Sequence, residues 1–313
     1  MNKKRKIFIE LPTWIGDCIM ATPSIENISK NYGNPEITFA GPVNSLDLMR
    51  HHPNTHDTVV LKKKFSDINE IRKYQENFDL FFSFRGSIRS NLLKFFVLSD
   101  EKFQFNKGKY NVGHQVEKYN NFINDSLNIN LKPGGLKIYK NPNLDYHDYA
   151  RPTVGINPGA SYGSAKRWSP KKFSEVALML SPNYDIVIFG GPKEIDIASD
   201  IESELTRIGV SNFQNFAGKI GIDELVHAIA KLDLFITGDS GPMHIAAAFK
   251  IPTVSIFGPT KDNETSQWMN PKSAIVKKDL DCQPCMKRTC PLGHHNCMSQ
   301  INAKDVFRAT KFL

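Results

Sequence analysis

Short apolar runs, each followed by a stretch with helical spacing, recur along this chain and leave few architectures open to it. "KIFIEL", "EITFAG", "TVVLK" and "FDLFFSF" read as strands, and intervening segments such as "CIMATPSIENISKNY" place apolar residues at helical intervals. A second series, "TVGIN", "YDIVIFGG", "NFQNFAG", "LDLFITG" and "PTVSIFG", begins after the Pro- and Asn-containing stretch "KNPNLDYHDYARP". Strands that are apolar throughout and separated by helices belong to parallel sheets covered on both faces. The expectation is an α/β protein of two Rossmann-like domains, residues 1–150 and 151–313. In such sheets ligands bind beyond the carboxyl ends of the strands. The loops to inspect are therefore 12–17, 84–89, 158–168, 190–194, 217–221, 238–244 and 258–262.

With 313 residues, 40% of them hydrophobic, the chain can bury two cores of ordinary size. A formal charge of +8 favours anionic partners: nucleic acid, anionic lipid headgroups or phosphorylated small molecules. The opening "MNKKRKIFIELP" has the basic end of a signal peptide, but Glu10 and Pro12 interrupt its apolar run, and it reads as a buried first strand. No uncharged apolar stretch approaches the roughly 18 residues of a membrane span, so a soluble, cytoplasmic protein is expected.

In "TGDSGPMH", Gly238 and Gly241 permit a tight turn, and Asp239 or Ser240 suits the cap of a helix beginning near Pro242. Such a helix start offers N–H groups and a positive dipole end to an anion, so the segment is either a phosphate turn or an ordinary capped turn. "NPGASYGSAKRW" gathers Ser161, Gly163, Ser164, Lys166 and Arg167 in one loop, which Trp168 anchors. Paired cations of this kind suit a diphosphate, Lys as a point charge and Arg as a fork of donors. In "IFGGPKEID", Gly190 and Gly191 end a strand, and Glu194 stands where a carboxylate can accept hydrogen bonds from ribose hydroxyls.

In "LPTWIGDCIMATP", Gly16 allows close approach of a substrate, and Asp17 is either a general base or the N-cap of the following helix. Arg85 and Arg89 of "FRGSIRSN", with His114 of "GHQVEKY", suit an acidic acceptor or form a solvated basic face. Cys282, Cys285, Cys290 and Cys297 lie beside His294 and His295; structural zinc and packed thiols both remain open for this group.

Taken together, "LPTWIGDCIMATP", "NPGASYGSAKRW", "TGDSGPMHIAAAFKIPTVSIFGPT" and the segment "CQPCMKRTCPLGHHNCM" resemble the ADP-heptose:lipopolysaccharide heptosyltransferases of glycosyltransferase family 9. The "AKRW" loop is more similar to heptosyltransferase II than to heptosyltransferase I. The resemblance spans both halves in matching order. It implies a GT-B fold, two Rossmann-like domains with parallel sheets facing a central cleft, the first binding the acceptor and the second the ADP-sugar. By the same resemblance, Asp17 matches the proposed general base and Lys166 the lysine on the donor diphosphate. Gly16, Ser161, Ser164, Arg167, Gly191, Glu194, Asp239, Ser240, Gly241 and His244 fall in the donor site, Glu194 as the ribose-binding acid. Ile220 falls where a backbone contact to adenine is expected, and Arg85, Arg89 and His114 on the acceptor side.

The implied reaction is inverting transfer of heptose from ADP-L-glycero-β-D-manno-heptose to the first heptose of a lipopolysaccharide inner core, with heptosyl-Kdo-lipid A as acceptor. No cofactor is implied, since cations and a helix dipole can hold the diphosphate. Peripheral contact with the inner face of a Gram-negative inner membrane is expected, and no nucleic acid partner. Two other readings stay open: heptosyltransferase I or another GT-B sugar-nucleotide enzyme, and a basic nucleic-acid-binding protein without chemistry. The second needs a continuous basic face, whereas the cations here are scattered among acids.

Overall fold

The computed structural model describes residues 4–62, 71, 76–144, 149–159 and 162–313. Two compact units divide the chain, Met1–Asn141 and Pro142–Leu313, so the division precedes the expected end of the first domain at residue 150.

The first unit is a five-stranded parallel sheet in the order β3-β2-β1-β4-β5, built from β1 (Lys6–Glu10), β2 (Glu36–Gly41), β3 (Thr55–Val60), β4 (Phe78–Ser83) and β5 (Ser99–Gln104). Ile7, Phe8 and Ile9 of β1 are fully buried, as a central strand covered on both faces requires. Its helices among the described residues include α1 (Ile15–Tyr32), α2 (Val43–Met49), α3 (Ile88–Phe96) and α4 (Gln115–Leu127). α1 ends at Gly33, whose positive φ of 61° returns its N–H to the Ser29 carbonyl.

The second unit is a six-stranded parallel sheet in the order β11-β10-β9-β6-β7-β8. Its strands are β6 (Thr153–Asn157), β7 (Asp185–Ile188), β8 (Phe213–Asn215), β9 (Leu234–Gly238), β10 (Thr253–Ile256) and β11 (Ser273–Val276). Its main helices are α5 (Pro170–Leu180), α6 (Ile195–Arg207), α7 (Ile222–Ala230) and α8 (Gly241–Ala248). The C-terminal helix, Ala303–Thr310, inserts Ala303 and Val306 into the core of this same unit.

Both sheets reverse their winding direction between two adjacent central strands, β1 and β4 in one and β6 and β9 in the other. Ligands of doubly wound sheets bind at this reversal, because the loops leaving its two strands diverge and open a crevice. The register Asn157↔Thr237 therefore puts the ends of β6 and β9, with "NPGASYGSAKRW" and "TGDSGPMH" behind them, side by side.

Candidate active site

In the second unit the loop after β6 is pinned along its length. The Trp168 ring is 1% exposed and its Nε1–H donates to the Ile301 carbonyl at 3.1 Å. A short 3-10 turn over Ser164–Lys166 precedes it. Lys166 points at the β9 turn, where its Nζ donates to Asp239 Oδ2 at 2.5 Å and to the Asp239 carbonyl at 3.3 Å. Thr260 Oγ1 donates to the same carboxylate oxygen at 2.6 Å. The Lys166 and Asp239 side chains are only 12% and 6% exposed, so each charge depends on the other for compensation. Asp239 thus holds the cation in place.

Ser240 is the N-cap residue of α8, but its hydroxyl makes no capping bond. It is taken sideways, accepting from Asn157 Nδ2 at 3.0 Å and lying 3.1 Å from Thr237 Oγ1. The first turn of α8, which begins at Gly241, is left without a side-chain cap, the condition for a helix start to take an anion. His244, one turn in, is 3% exposed. Arg167 follows Lys166 with a buried Nε that has no hydrogen-bond partner among the described residues, and Ser164 is exposed. Ser161 lies outside the described residues.

Glu194 closes the other side of this loop cluster. It is 8% exposed, and its Oε2 accepts the Gly191 N–H at 2.8 Å. Its carboxyl group lies so close to Gly159 that any side chain at that glycine would push it away. Gly218 N–H donates to the Gly190 carbonyl at 2.9 Å, which draws the loop carrying half-buried Ile220 alongside. The ends of β6, β7, β8 and β9 thus bring Lys166, Arg167, Gly191, Glu194, Ile220, Asp239, Ser240 and Gly241 into one neighbourhood. It holds the Lys166–Asp239 pair, Arg167 and helix N–H groups at its centre and the Glu194 carboxylate at its edge.

The cysteine segment braces this neighbourhood from behind. Ala165 N–H donates to the Arg288 carbonyl at 3.0 Å, Tyr162 OH to the Met286 carbonyl at 2.8 Å, and His295 Nε2 lies 2.8 Å from the Ala165 carbonyl. Two cations lie over the Tyr162 ring, Lys166 Nζ at 4.7 Å and the Arg288 guanidinium at 5.4 Å from its centre. Cys282, Cys285, Cys290 and Cys297 line one small pocket beside Ala165, and all are free thiols. Among the described residues no three His, Cys, Asp or Glu side chains are grouped to hold a metal ion. The His295 amide, with those of Leu292, Gly293 and His294, holds the Cys290 thiol below its usual range despite some burial. Burial drives the Cys18 thiol of α1 up to about 12. Because the thiolate is the reactive species, iodoacetamide near neutral pH should label Cys290 first and Cys18 only after unfolding. Peptide mass spectrometry against time reads this order directly, and early labelling of Cys18 would contradict it.

In the first unit Asp17 is not the N-cap of α1, the alternative its sequence left open. Trp14 occupies that position and Asp17 is the third helical residue, half-buried. Burial, followed by the Asp17 charge, keeps the Tyr119 phenol of α4 well above its usual range. Asp17 and Tyr119 therefore share one neighbourhood at the start of α1. His114 is the N-cap of α4, 6% exposed, with Nδ1 accepting the Val116 N–H at 3.2 Å. That bond assigns the proton of the neutral ring to Nε2.

Arg85 meets a partner that the sequence reading did not select. Its Nη1 lies 3.2 Å from Oε1 of Glu10, a carboxylate 1% exposed at the end of β1. Ser83 Oγ donates to Glu10 at 2.5 Å and Ser90 Oγ at 3.1 Å. Arg89 also lies within electrostatic reach of Glu10. The signal was present, a glutamate inside an apolar strand, since buried carboxylates are rare unless paired. Burial raises the Glu10 pKa above its ordinary value, against the opposing effects of Ser83, Arg85, Ser90 and Arg89. A raised carboxyl pKa contributes stability that is full below the unfolded-state value and lost as pH rises through the folded one. Glu10→Gln should therefore gain stability relative to the native chain as pH is raised from about 4 to 7. Paired denaturation curves across that range test the sign; a difference that shrinks with pH would refute it.

Comparison with known proteins identifies the family. The family model for glycosyltransferase family 9 (heptosyltransferase) matches residues 74–296. Lipooligosaccharide heptosyltransferase 2 of Campylobacter jejuni subsp. jejuni serotype O:2 is 38% identical, over 98% of this chain and 98% of the relative. Lipopolysaccharide heptosyltransferase 2 of Escherichia coli K12 is 23% identical over 96% of each chain. Among solved structures, E. coli ADP-heptose LPS heptosyltransferase II superimposes with a TM-score of 0.81 at 20% identity, covering 98% of this chain and 97% of the other. A family 9 glycosyl transferase from Veillonella parvula gives 0.82 at 20% identity, covering 99% and 98%. The architecture is thus that of a GT-B glycosyltransferase. The chain belongs to glycosyltransferase family 9, the heptosyltransferases.

Proposed function

We propose that this enzyme transfers heptose from ADP-L-glycero-β-D-manno-heptose to the first heptose of a lipopolysaccharide or lipooligosaccharide inner core, with inversion at the anomeric carbon. The observation that carries the reading is the Lys166–Asp239 pair set against the uncapped start of α8 at the reversal point of the second sheet. The near-full-length likeness to lipooligosaccharide heptosyltransferase 2 supports the choice of donor and acceptor.

Inversion requires one displacement at the sugar carbon. Asp17 takes the proton from the attacking acceptor hydroxyl as the bond from the anomeric carbon to the diphosphate oxygen breaks. Negative charge then grows on the departing ADP. Lys166, Arg167 and the N–H groups at Ser240–Gly241 stabilise that charge, donors fixed before the reaction begins. Glu194 accepts from the ribose, the Ile220 backbone meets adenine, and Gly16 lets the donor approach closely. Arg85, Arg89 and His114 serve the acceptor side; Arg85 does so from its anchorage on Glu10. The reading calls for no cofactor.

The acceptor carries acidic sugars on a lipid, so the enzyme works at the inner face of the inner membrane, in peripheral contact with it. Among the described residues no helix is long and apolar enough to cross a membrane. The test is release of ADP from ADP-heptose by the purified protein, with and without a core acceptor ending in its first heptose. Release only with that acceptor is the expected result. Release with a core lacking the first heptose, or only from a UDP- or GDP-sugar, would replace the reading with heptosyltransferase I or another sugar-nucleotide enzyme.

A further inference from the structure

Helix α3 is buried on one side and exposes apolar residues on the other. Its inner side, Ser90 and Leu93, is buried, and Leu93 joins a core cluster of the first unit. Its outer side shows Ile88 at 83% exposure, Leu92 at 37% and Phe95 at 77%, with Leu98 at 56% just beyond the helix end. Spacings of four and three residues put Ile88, Leu92 and Phe95 on one face, in a row about 10 Å long. At about 100° per residue, Arg89 and Lys94 fall to either side of that row. The helix carries no carboxylate. From Arg85 to Lys118 there are seven lysines and arginines against three carboxylates.

The row starts at a meaningful place. β4 runs parallel to β1, so the first residue of α3, Ile88, emerges at the same end of the sheet as the start of α1, where Asp17 lies. Val112, 81% exposed, follows β5 at that end too. The apolar row therefore leads away from the acceptor-side residues along the outside of the unit.

We infer that α3 is the surface by which this enzyme seats on an anionic lipid bilayer, with Ile88, Leu92 and Phe95 dipping into the headgroup boundary and Lys94 beside them meeting lipid phosphates. The inference deepens the peripheral membrane contact in the proposed function and rests on the lipid-linked acceptor of that reading. A short helix with few cations gives weak, reversible attachment, strengthened by anionic lipid and weakened by salt.

The test is co-sedimentation with vesicles of phosphatidylcholine alone or mixed with phosphatidylglycerol, neither containing acceptor. The native enzyme is expected to bind the mixed vesicles and to leave them at high salt. The triple variant Ile88→Ser, Leu92→Ser, Phe95→Ser is expected to bind at least tenfold more weakly, with an unchanged unfolding midpoint. It keeps turnover on a delipidated core oligosaccharide and loses it on acceptor embedded in vesicles. If the triple variant folds poorly, a single Phe95→Trp chain carries the test, through a blue shift of its added emission with mixed vesicles only. Equal vesicle binding by native and variant proteins overturns the inference, as does an absence of binding by the native enzyme. A native dimer that the variant dissolves also overturns it, by giving the row to a second copy. Vesicle binding without turnover on either acceptor leaves the membrane surface standing and removes the transfer reading.

Discussion

Asp17→Asn is expected to lower turnover by about 10²- to 10⁴-fold, the range for loss of a positioned general base, while the affinity for ADP stays within about twofold. Asn keeps the size of the side chain and removes its ability to take a proton. Misfolding is a weak competing explanation. Asp17 occupies the first turn of α1, where a negative charge is worth about 0.3–1 kcal/mol against the helix dipole, and an unchanged unfolding midpoint of the variant checks that the fold is kept. Calorimetric titration with ADP alongside steady-state rates separates the outcomes. Equal loss of ADP binding and turnover would remove Asp17 from the role of base.

Lys166→Ala is expected to weaken ADP binding about 10- to 100-fold, since a hydrogen bond to a charged group contributes roughly 1.5–3 kcal/mol. The substitution has a second effect that must be separated from the first. It leaves Asp239, 6% exposed, without its cation, and breaking a buried pair from one side costs about 3–5 kcal/mol. Lys166→Met with Asp239→Asn removes both charges, and Thr260 and the turn can remain in place. Recovered thermal stability with ADP affinity still reduced is the expected pattern. Recovery of affinity along with stability would mean that Lys166 served the fold and not the diphosphate.

The central strands were legible because a strand buried on both faces is written as an unbroken apolar run; "KIFIEL" and "LDLFITG" lie at the centres of their sheets as β1 and β9. Two strands were not. β5, "SDEKFQ", and β11, "SAIV", are edge strands with partners on one side only, and half-exposed edges carry charge or stay short. The site motifs could be read one loop at a time, but not what each side chain grips. Lys166 and Asp239 are 73 residues apart, and only the adjacency of β6 and β9 makes them a pair. His114 and Ser240 show a related limit. Both residue types can cap a helix, yet the His114 ring caps and the Ser240 hydroxyl turns to Asn157 instead.

Nothing in Lys166's own loop suffices to hold it. Its neighbours Tyr162 and Ala165 hang from Met286, Arg288 and His295, and Trp168 from Ile301, all more than 120 residues later. A chain clipped within that tail would keep every recognisable signature of the nucleotide pocket and still lose the lysine's aim. On the proposed function, a proteolytic nick or frameshift there is an injury to the diphosphate site itself.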